Sequence, residues 1–359
     1  MKALAPGSSI GIIGGGQLGR MLAAAAARLG YRTTILEPQD DCPAAQLANR
    51  HIVAGYDDAD ALAQLARDCD VVTYEFENVP VAAAGRLAAS VAVYPPPQAL
   101  EVSQDRLVEK RFLNGQGIST ADFIPVDSDA ELAAAIQAYG GGVLKTRRMG
   151  YDGKGQHVFR DGSAENAKGT HAAMGNVPLI LESLVAFEKE ISIIAARGAG
   201  GALAAYAPAE NIHRGGILHQ STVPSAIAPA TSESARKKAF AILEALDYVG
   251  VIGVEFFVLP GGGLLVNEIA PRVHNSGHWT QAGCAIDQFE QHIRAVAGWP
   301  LGDGARHADV VMENLIGADM DRLPDLMRDP RAALHLYGKA EVKPGRKMGH
   351  VNRVTGAAG

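Results

Sequence analysis

Apolar runs and helical patterns alternate along the first hundred residues. Ser9–Ile13 reads as a short apolar strand, residues 14–19 are Gly-Gly-Gly-Gln-Leu-Gly, and an alanine-rich stretch over 20–29 reads as a helix. A strand over 32–36, a helix over 59–67 and a strand over 70–75 follow. Such alternation predicts a parallel, doubly wound sheet. Tyr94-Pro95-Pro96-Pro97 is the sharpest break, because three prolines continue neither a helix nor a central strand, and it sets the first domain boundary. Beyond it the pattern predicts a helix over 104–116 and then, over 142–194, short strands with glycine-rich turns that suit a small α+β lid. A helix over 232–246 and a hairpin over 249–269 come next, and the last 50 residues read as a mixed, Gly- and Lys-rich tail.

The hairpin carries chemistry. Its apolar strands, 251–259 and 264–269, flank Pro260-Gly261-Gly262-Gly263. If pairing is symmetric about that loop, residues whose numbers sum to 523 face each other, so Glu255 stands opposite Glu268. Opposed residues have Cβ atoms roughly 5 Å apart, and like charges there weaken a sheet. Two such carboxylates call for a cation, and oxygen-only ligation suits magnesium held with nucleotide phosphates. The bland alternative is an exposed face with two solvated glutamates. Phe257 and Val266, placed by this register on the same face, argue against it.

Other motifs are less specific. Gly14-x-Gly16-x-x-Gly19 follows a strand and opens a helix, and Glu37 lies at the end of the next strand, so a dinucleotide, another phosphate-bearing ligand and a purely structural turn all fit. Residues 143–159 read as strand, glycine loop, strand, without a Walker pattern: either a flap whose amides close over phosphates above Lys145, or a plain hairpin with solvated bases. Arg272, His274, Asn275, Ser276 and His278 crowd into one short segment suited to small oxyanions, and the histidine spacing is not that of a zinc site. The C-terminal Lys339, Lys343, Arg346 and Lys347 form a solvated tail or a phosphate grip.

Composition narrows the class. A chain of 359 residues predicts two to three domains. With 47% hydrophobic residues it is not a disordered acidic chain, and its net charge of −6 speaks against coating nucleic acid. No apolar run reaches the roughly 18 to 20 residues of a membrane span, and the N-terminus lacks a signal-peptide core. Cys42, Cys69 and Cys284 are odd in number and scattered, which predicts neither disulfides nor structural zinc. These features describe a reduced, cytoplasmic protein.

Taken in order, Gly16-Gln17-Leu18-Gly19-Arg20-Met21, Tyr74-Glu75-Phe76-Glu77-Asn78-Val79, residues 150–156, residues 267–280 and Gly345-Arg346-Lys347-Met348-Gly349-His350 resemble the N5-carboxyaminoimidazole ribonucleotide synthetase family. The likeness runs from about residue 10 to 351. It implies an ATP-grasp fold of mixed α/β and α+β character: a Rossmann-like pre-ATP-grasp domain (1–99), a small lid domain with the flap (100–187), and a large domain with a C-terminal substrate-binding segment (188–359). It also implies ATP, two magnesium ions, bicarbonate and 5-aminoimidazole ribonucleotide as ligands, a homodimer, and neither nucleic acid nor membrane as partner.

Carried over by residue, the resemblance has Arg106 and Lys145 contact ATP while Gly150, Tyr151, Asp152, Gly153, Lys154, Gly155 and Gln156 cover its phosphates. Glu182, Ser183, Leu184 and Val185 form the hinge beside adenine; Glu190 holds the ribose, with His213 nearby. Glu255 and Glu268 ligate magnesium, next to Asn267. The ribonucleotide meets Gln17, Glu75, Tyr151, Asp152, Lys154, Arg272, His274, Asn275, Lys339 and Arg346, and Arg272 with Lys145 serves catalysis. Met149 departs from the family pattern, which has glycine there. The competing readings are a nicotinamide oxidoreductase, a different ATP-grasp ligase (a formate-using transformylase or a biotin carboxylase) and a non-catalytic nucleotide sensor.

Overall fold

The computed structural model describes residues 2–150, 153 and 155–358. Three sheets organise them. The first is all parallel, with Ser9–Ile13 between Arg32–Leu36 and Val71–Tyr74, and with Arg50–Ile52 and Ala92–Val93 at its edges. Its central strands are apolar along their length because helices cover both faces, as parallel sheets require. The helix after the glycine turn is Gln17–Arg28, three residues earlier than the alanine pattern indicates. Gly16 is its N-cap, and Arg20 N–H already donates to Gly16 O, so Gln17, Leu18 and Gly19 belong to its first turn.

The second sheet is the small antiparallel lid, ordered Phe123–Val126, Leu179–Glu182, Gly142–Thr146, Gln156–Phe159. Helix Asp129–Tyr139 closes it, capped by Ser128 and ended by left-handed Gly140. The pattern over 142–194 places the start of Lys189–Arg197 in the lid, but this strand belongs to the third sheet. Helices Pro97–Ser103 and Arg106–Gly115 bridge the units: Leu100 packs with the first sheet, while Ala99, Val102 and Leu113 pack beneath the third. Pro97 sits at the first helical turn, where its missing N–H costs nothing.

The third sheet has nine strands. Leu264–Ala270, Gly250–Val258, Lys189–Arg197, Ala209–Arg214 and Ile217–Val223 continue directly into Ala308–Ile316, Lys347–Ala357 and Ala332–Leu336, with Leu203–Ala205 paired on Lys189–Arg197 as the ninth. The C-terminal segment is therefore no tail. Lys347–Ala357 pairs on both sides and buries Met348, His350, Val351 and Asn352. Its glycine- and lysine-rich approach hid a strand that is buried continuously over residues 348–352.

The hairpin register holds at the carboxylates and slips near the loop. Glu255 pairs with Glu268 and Val254 with Ile269, but Phe256 pairs with Val266 and Phe257 with Leu265. A bulge at Asn267 absorbs the difference. The correction matters for Val266, which was expected beside the carboxylates. It lies opposite Phe256, fully buried in the core under the sheet.

Candidate active site

The lid, the carboxyl ends of the central strands of the first sheet and the third sheet enclose a cavity of about 710 Å³. That volume suits a small-molecule site, and charged side chains from all three units line it.

One wall is cationic. Asp105 caps Arg106–Gly115 and takes both Arg147 Nε (3.0 Å) and Nη2 (2.8 Å), while Arg106 N–H donates to Arg147 O, so the base of the flap is tied to this helix. Arg106 and Lys110, one turn apart, both face inward. Lys110 lies 3.4 Å and Lys145 2.9 Å from Glu182 Oε2. Burial favours a neutral Glu182, yet Lys145 and Lys110 outweigh it and hold the carboxyl below its usual range. Burial pushes the Lys110 amine down.

The floor is the carboxylate pair. Burial and the facing Glu268 push Glu255 up to about 7. Glu268 goes the other way: burial opposes ionisation, but Arg106 Nη1 at 3.0 Å holds it below the carboxylate range. Asn267 Oδ1, between them in sequence, is buried without a hydrogen-bond partner. Two carboxylates and an orphaned amide oxygen are the donor set of a hard cation. Among the described residues no group of three or more His, Cys, Asp or Glu side chains is assembled for a metal, so the remaining ligands of such an ion would come from substrate or water. Glu109, opposite, is pushed up to about 8 by burial and by Glu268, and accepts Ile269 N–H at 2.5 Å. At the outer end Glu190 and His213 pair at 2.8 Å, beside the stacked rings of Phe187 and Phe257.

The far wall comes from the first sheet and the segment after the hairpin. Glu75 accepts N–H bonds from Gly16 and, at 2.6 Å, from Gly19, while Glu37 accepts from Gly15 at 2.8 Å. The amides that a dinucleotide fingerprint would turn to pyrophosphate are taken by the chain's own carboxylates. A Cβ on Gly14 would stand 2.4 Å from Glu75 Cγ, so glycine is what lets this carboxylate close over the turn. The oxidoreductase reading falls with that observation. Burial raises Glu75 despite those donors. Arg272 pairs with Glu77 (2.5 Å). Burial, reinforced by Arg272, pushes His274 down to about 3, so it is a neutral imidazole, its Nδ1 2.8 Å from Ser276 Oγ. Asn275 has both amide atoms buried without a partner.

The sequence-derived residues Gln17, Glu75, Arg106, Lys145, Gly150, Gly153, Gly155, Gln156, Glu190, His213, Glu255, Asn267, Glu268, Arg272, His274 and Asn275 all line the cavity. Tyr151, Asp152 and Lys154 lie outside the described residues. Glu182 reaches the site through Lys145, whereas Ser183 N–H bonds Asp122 O, Leu184 is exposed, and Val185 does not line the cavity. Lys339 and Arg346 stand off the wall: Lys339 Nζ bonds Lys347 O over the Tyr337 ring, and Arg346 bonds Glu341 O. Lys347 lines the cavity instead. The sequence reading also missed Glu77, Glu109, Lys110 and Arg147. The spacing of Lys110 from Arg106 was the one available signal. Met149 stands at φ 63°, a conformation that favours the glycine the resemblance leads one to expect.

Comparison with known proteins agrees with this geometry. Family models match in chain order: the ribonucleotide synthetase preATP-grasp domain over 8–104, the ATP-grasp domain over 111–289, and the phosphoribosylaminoimidazole carboxylase C-terminal domain over 310–358. The chain is 61% identical over 353 residues to the N5-carboxyaminoimidazole ribonucleotide synthase of Brucella melitensis, covering 98% of each. Among solved structures it resembles the Staphylococcus aureus N5-carboxyaminoimidazole synthetase complexed with ADP (37% identity, TM-score 0.94, 99% and 95% of the two chains). The Aspergillus clavatus synthase with ADP and 5-aminoimidazole ribonucleotide is also similar (31% identity, TM-score 0.91, 98% and 94%).

Proposed function

The chain belongs to the N5-carboxyaminoimidazole ribonucleotide synthase family, and from that premise we propose how its residues divide the work. It is an ATP-grasp ligase of purine biosynthesis that makes N5-carboxyaminoimidazole ribonucleotide from 5-aminoimidazole ribonucleotide at the expense of ATP. The finer assignments below are our reading of its cavity.

ATP lies between lid and third sheet. Glu190 takes its ribose hydroxyls, the hinge after Glu182 reads adenine through backbone groups, and Arg106 and Lys145 meet the phosphates. Glu255, Glu268 and Asn267 would hold magnesium, which neutralises phosphate charge when bound. Bicarbonate attacks the γ-phosphorus in line, the bond to the β-γ bridging oxygen breaks, and ADP leaves carboxyphosphate behind. Lys145 spreads the phosphoryl charge, and Arg272 holds bicarbonate and the intermediate. The exocyclic amine of the ribonucleotide, near Glu75, takes the carboxyl from carboxyphosphate or from the carbon dioxide it releases; phosphate departs and the amine loses a proton. The flap over 150–156 excludes water, which would hydrolyse the intermediate. Lys347 meets the ribonucleotide's phosphate from the cavity wall, and Lys339 and Arg346, set back from that wall, add positive charge behind it. Cytoplasmic residence and a homodimer complete the proposal, the latter checked by light scattering.

The observation that carries the reading is the facing of Glu255 and Glu268 between a cationic nucleotide wall and the Arg272 wall. ADP release is measured with bicarbonate, with and without the ribonucleotide. Stimulation by the ribonucleotide is expected, and its absence would overturn the assignment.

A further inference from the structure

Arg272 is held by a residue from a different part of the chain. Its Nε donates to Glu77 Oε2 at 2.5 Å, and its Nη1 donates to Val273 O at 3.2 Å. The rest of the guanidinium, Nη2 included, has no hydrogen-bond partner among the described residues. Glu77 belongs to the loop that leaves strand Val71–Tyr74 of the first sheet, and that loop is fixed in turn: Gln104 Nε2 donates to Glu77 O (2.9 Å) and Val79 O (2.6 Å), and Val79 is fully buried. Both members of the pair are largely buried, with side chains 18% and 27% exposed. Burial opposes ionisation of Glu77, but Arg272 overrides it and holds the carboxyl down at about 2. The pair is charged at any working pH.

Arg272 has other carboxylates to choose from. Glu268 and Glu75 both attract it. A turn toward Glu268 would set it against a carboxylate whose Oε2 Arg106 already takes. With Nε committed to Glu77, the guanidinium can take a ligand only by its Nη1–Nη2 end. That end meets the two oxygens of a bicarbonate or a carboxyphosphate as a parallel pair of charge-assisted bonds.

We propose that Glu77 is a positioning residue for the carboxylation: it selects the Arg272 orientation that presents this end to bicarbonate. The proposal rests on the reading of Arg272 as the bicarbonate holder. It also makes the loop after strand Val71–Tyr74, which supplies Glu75 toward the ribonucleotide, responsible for aiming the arginine that follows strand Leu264–Ala270.

Steady-state ADP formation by the full-length enzyme tests it, with KM measured separately for bicarbonate, ATP and ribonucleotide. Glu77→Gln keeps the shape but loses the charge, and its KM for bicarbonate should rise on the order of tenfold, with KM for ATP within about twofold of the parent. Glu77→Asp keeps the charge but falls short of Nε, so it should lie between the two, and it carries the test if Glu77→Gln does not fold. An unchanged bicarbonate KM in the folded variants, or an equal rise for all three substrates, overturns the proposal. Arg272→Gln separates the two claims. If it loses bicarbonate saturation while the Glu77 variants keep it, the positioning role fails and the Arg272 reading stands. If it keeps bicarbonate saturation, the Arg272 reading fails and the positioning role with it.

Discussion

His292 locks the first sheet to the third, and it should make the protein acid-labile by a calculable amount. It lies in helix Gln288–Val296 and is fully buried. Val251 N–H donates to its Nδ1 at 3.1 Å, so the ring proton sits on Nε2 and goes to Thr73 Oγ1 at 2.8 Å. A second proton would face a donor. Burial accordingly pushes the imidazole down to about 3 in the folded protein. Below its unfolded value near 6.5 the unfolded chain binds a proton that the folded chain refuses, so stability is lost as pH falls toward about 3. Between pH 7.0 and pH 5.5 linkage gives a loss of about 1.3 kcal/mol from this residue alone. His292→Gln removes the titration while keeping a polar side chain of similar reach, at a cost of roughly 1–3 kcal/mol at neutral pH for the imperfect hydrogen bonds. Urea unfolding of parent and variant at both pH values, followed by fluorescence of Trp279 and Trp299, isolates the effect. The stability gap should narrow by about 1.3 kcal/mol at the lower pH. A gap that stays constant would refute the argument.

Three other outcomes follow from the geometry. Glu268→Gln removes one of the two carboxylates of the cation site and the partner of Arg106, so ATP turnover should fall on the order of 10²–10³-fold in an ADP-coupled assay; near-full turnover would break the magnesium assignment. Asp105→Asn weakens the two bonds that tie Arg147 to the helix N-terminus, so KM for ATP should rise several-fold, and an unchanged KM would detach the flap from this anchor. Gly16→Ala puts a Cβ 2.5 Å from Glu75 Oε1, and should lower the thermal midpoint by roughly 4 °C or more, which a folded variant melting like the parent would contradict.

Local pattern carried most of the fold into view. Strand Ser9–Ile13 falls where its apolar run places it, because a parallel strand buried on both faces reads as a nearly continuous apolar run. Glu255 opposite Glu268 was legible because a hairpin turns sequence distance into spatial pairing. The bulge at Asn267 was not, since it depends on which neighbour buries Val266. The C-terminal strands were misread because their partners lie far away in the chain, as Ala308–Ile316 against Ile217–Val223 illustrates. At the site, the glycine turn by itself fitted a dinucleotide, another phosphate-bearing ligand or a structural turn, and it is Glu75 and Glu37 that occupy its amides. The roles of Glu77 and Lys110 were not legible, because they lie in Arg272 and Glu182, which only the fold brings to them.

The central claim is that a bicarbonate oxygen attacks the γ-phosphorus of ATP. It is tested most directly by supplying bicarbonate labelled with 18O, together with ATP and 5-aminoimidazole ribonucleotide, and analysing the released phosphate by mass spectrometry. The account predicts one labelled oxygen in each phosphate formed with product. Phosphate carrying no label, released while the ribonucleotide is carboxylated, would contradict it.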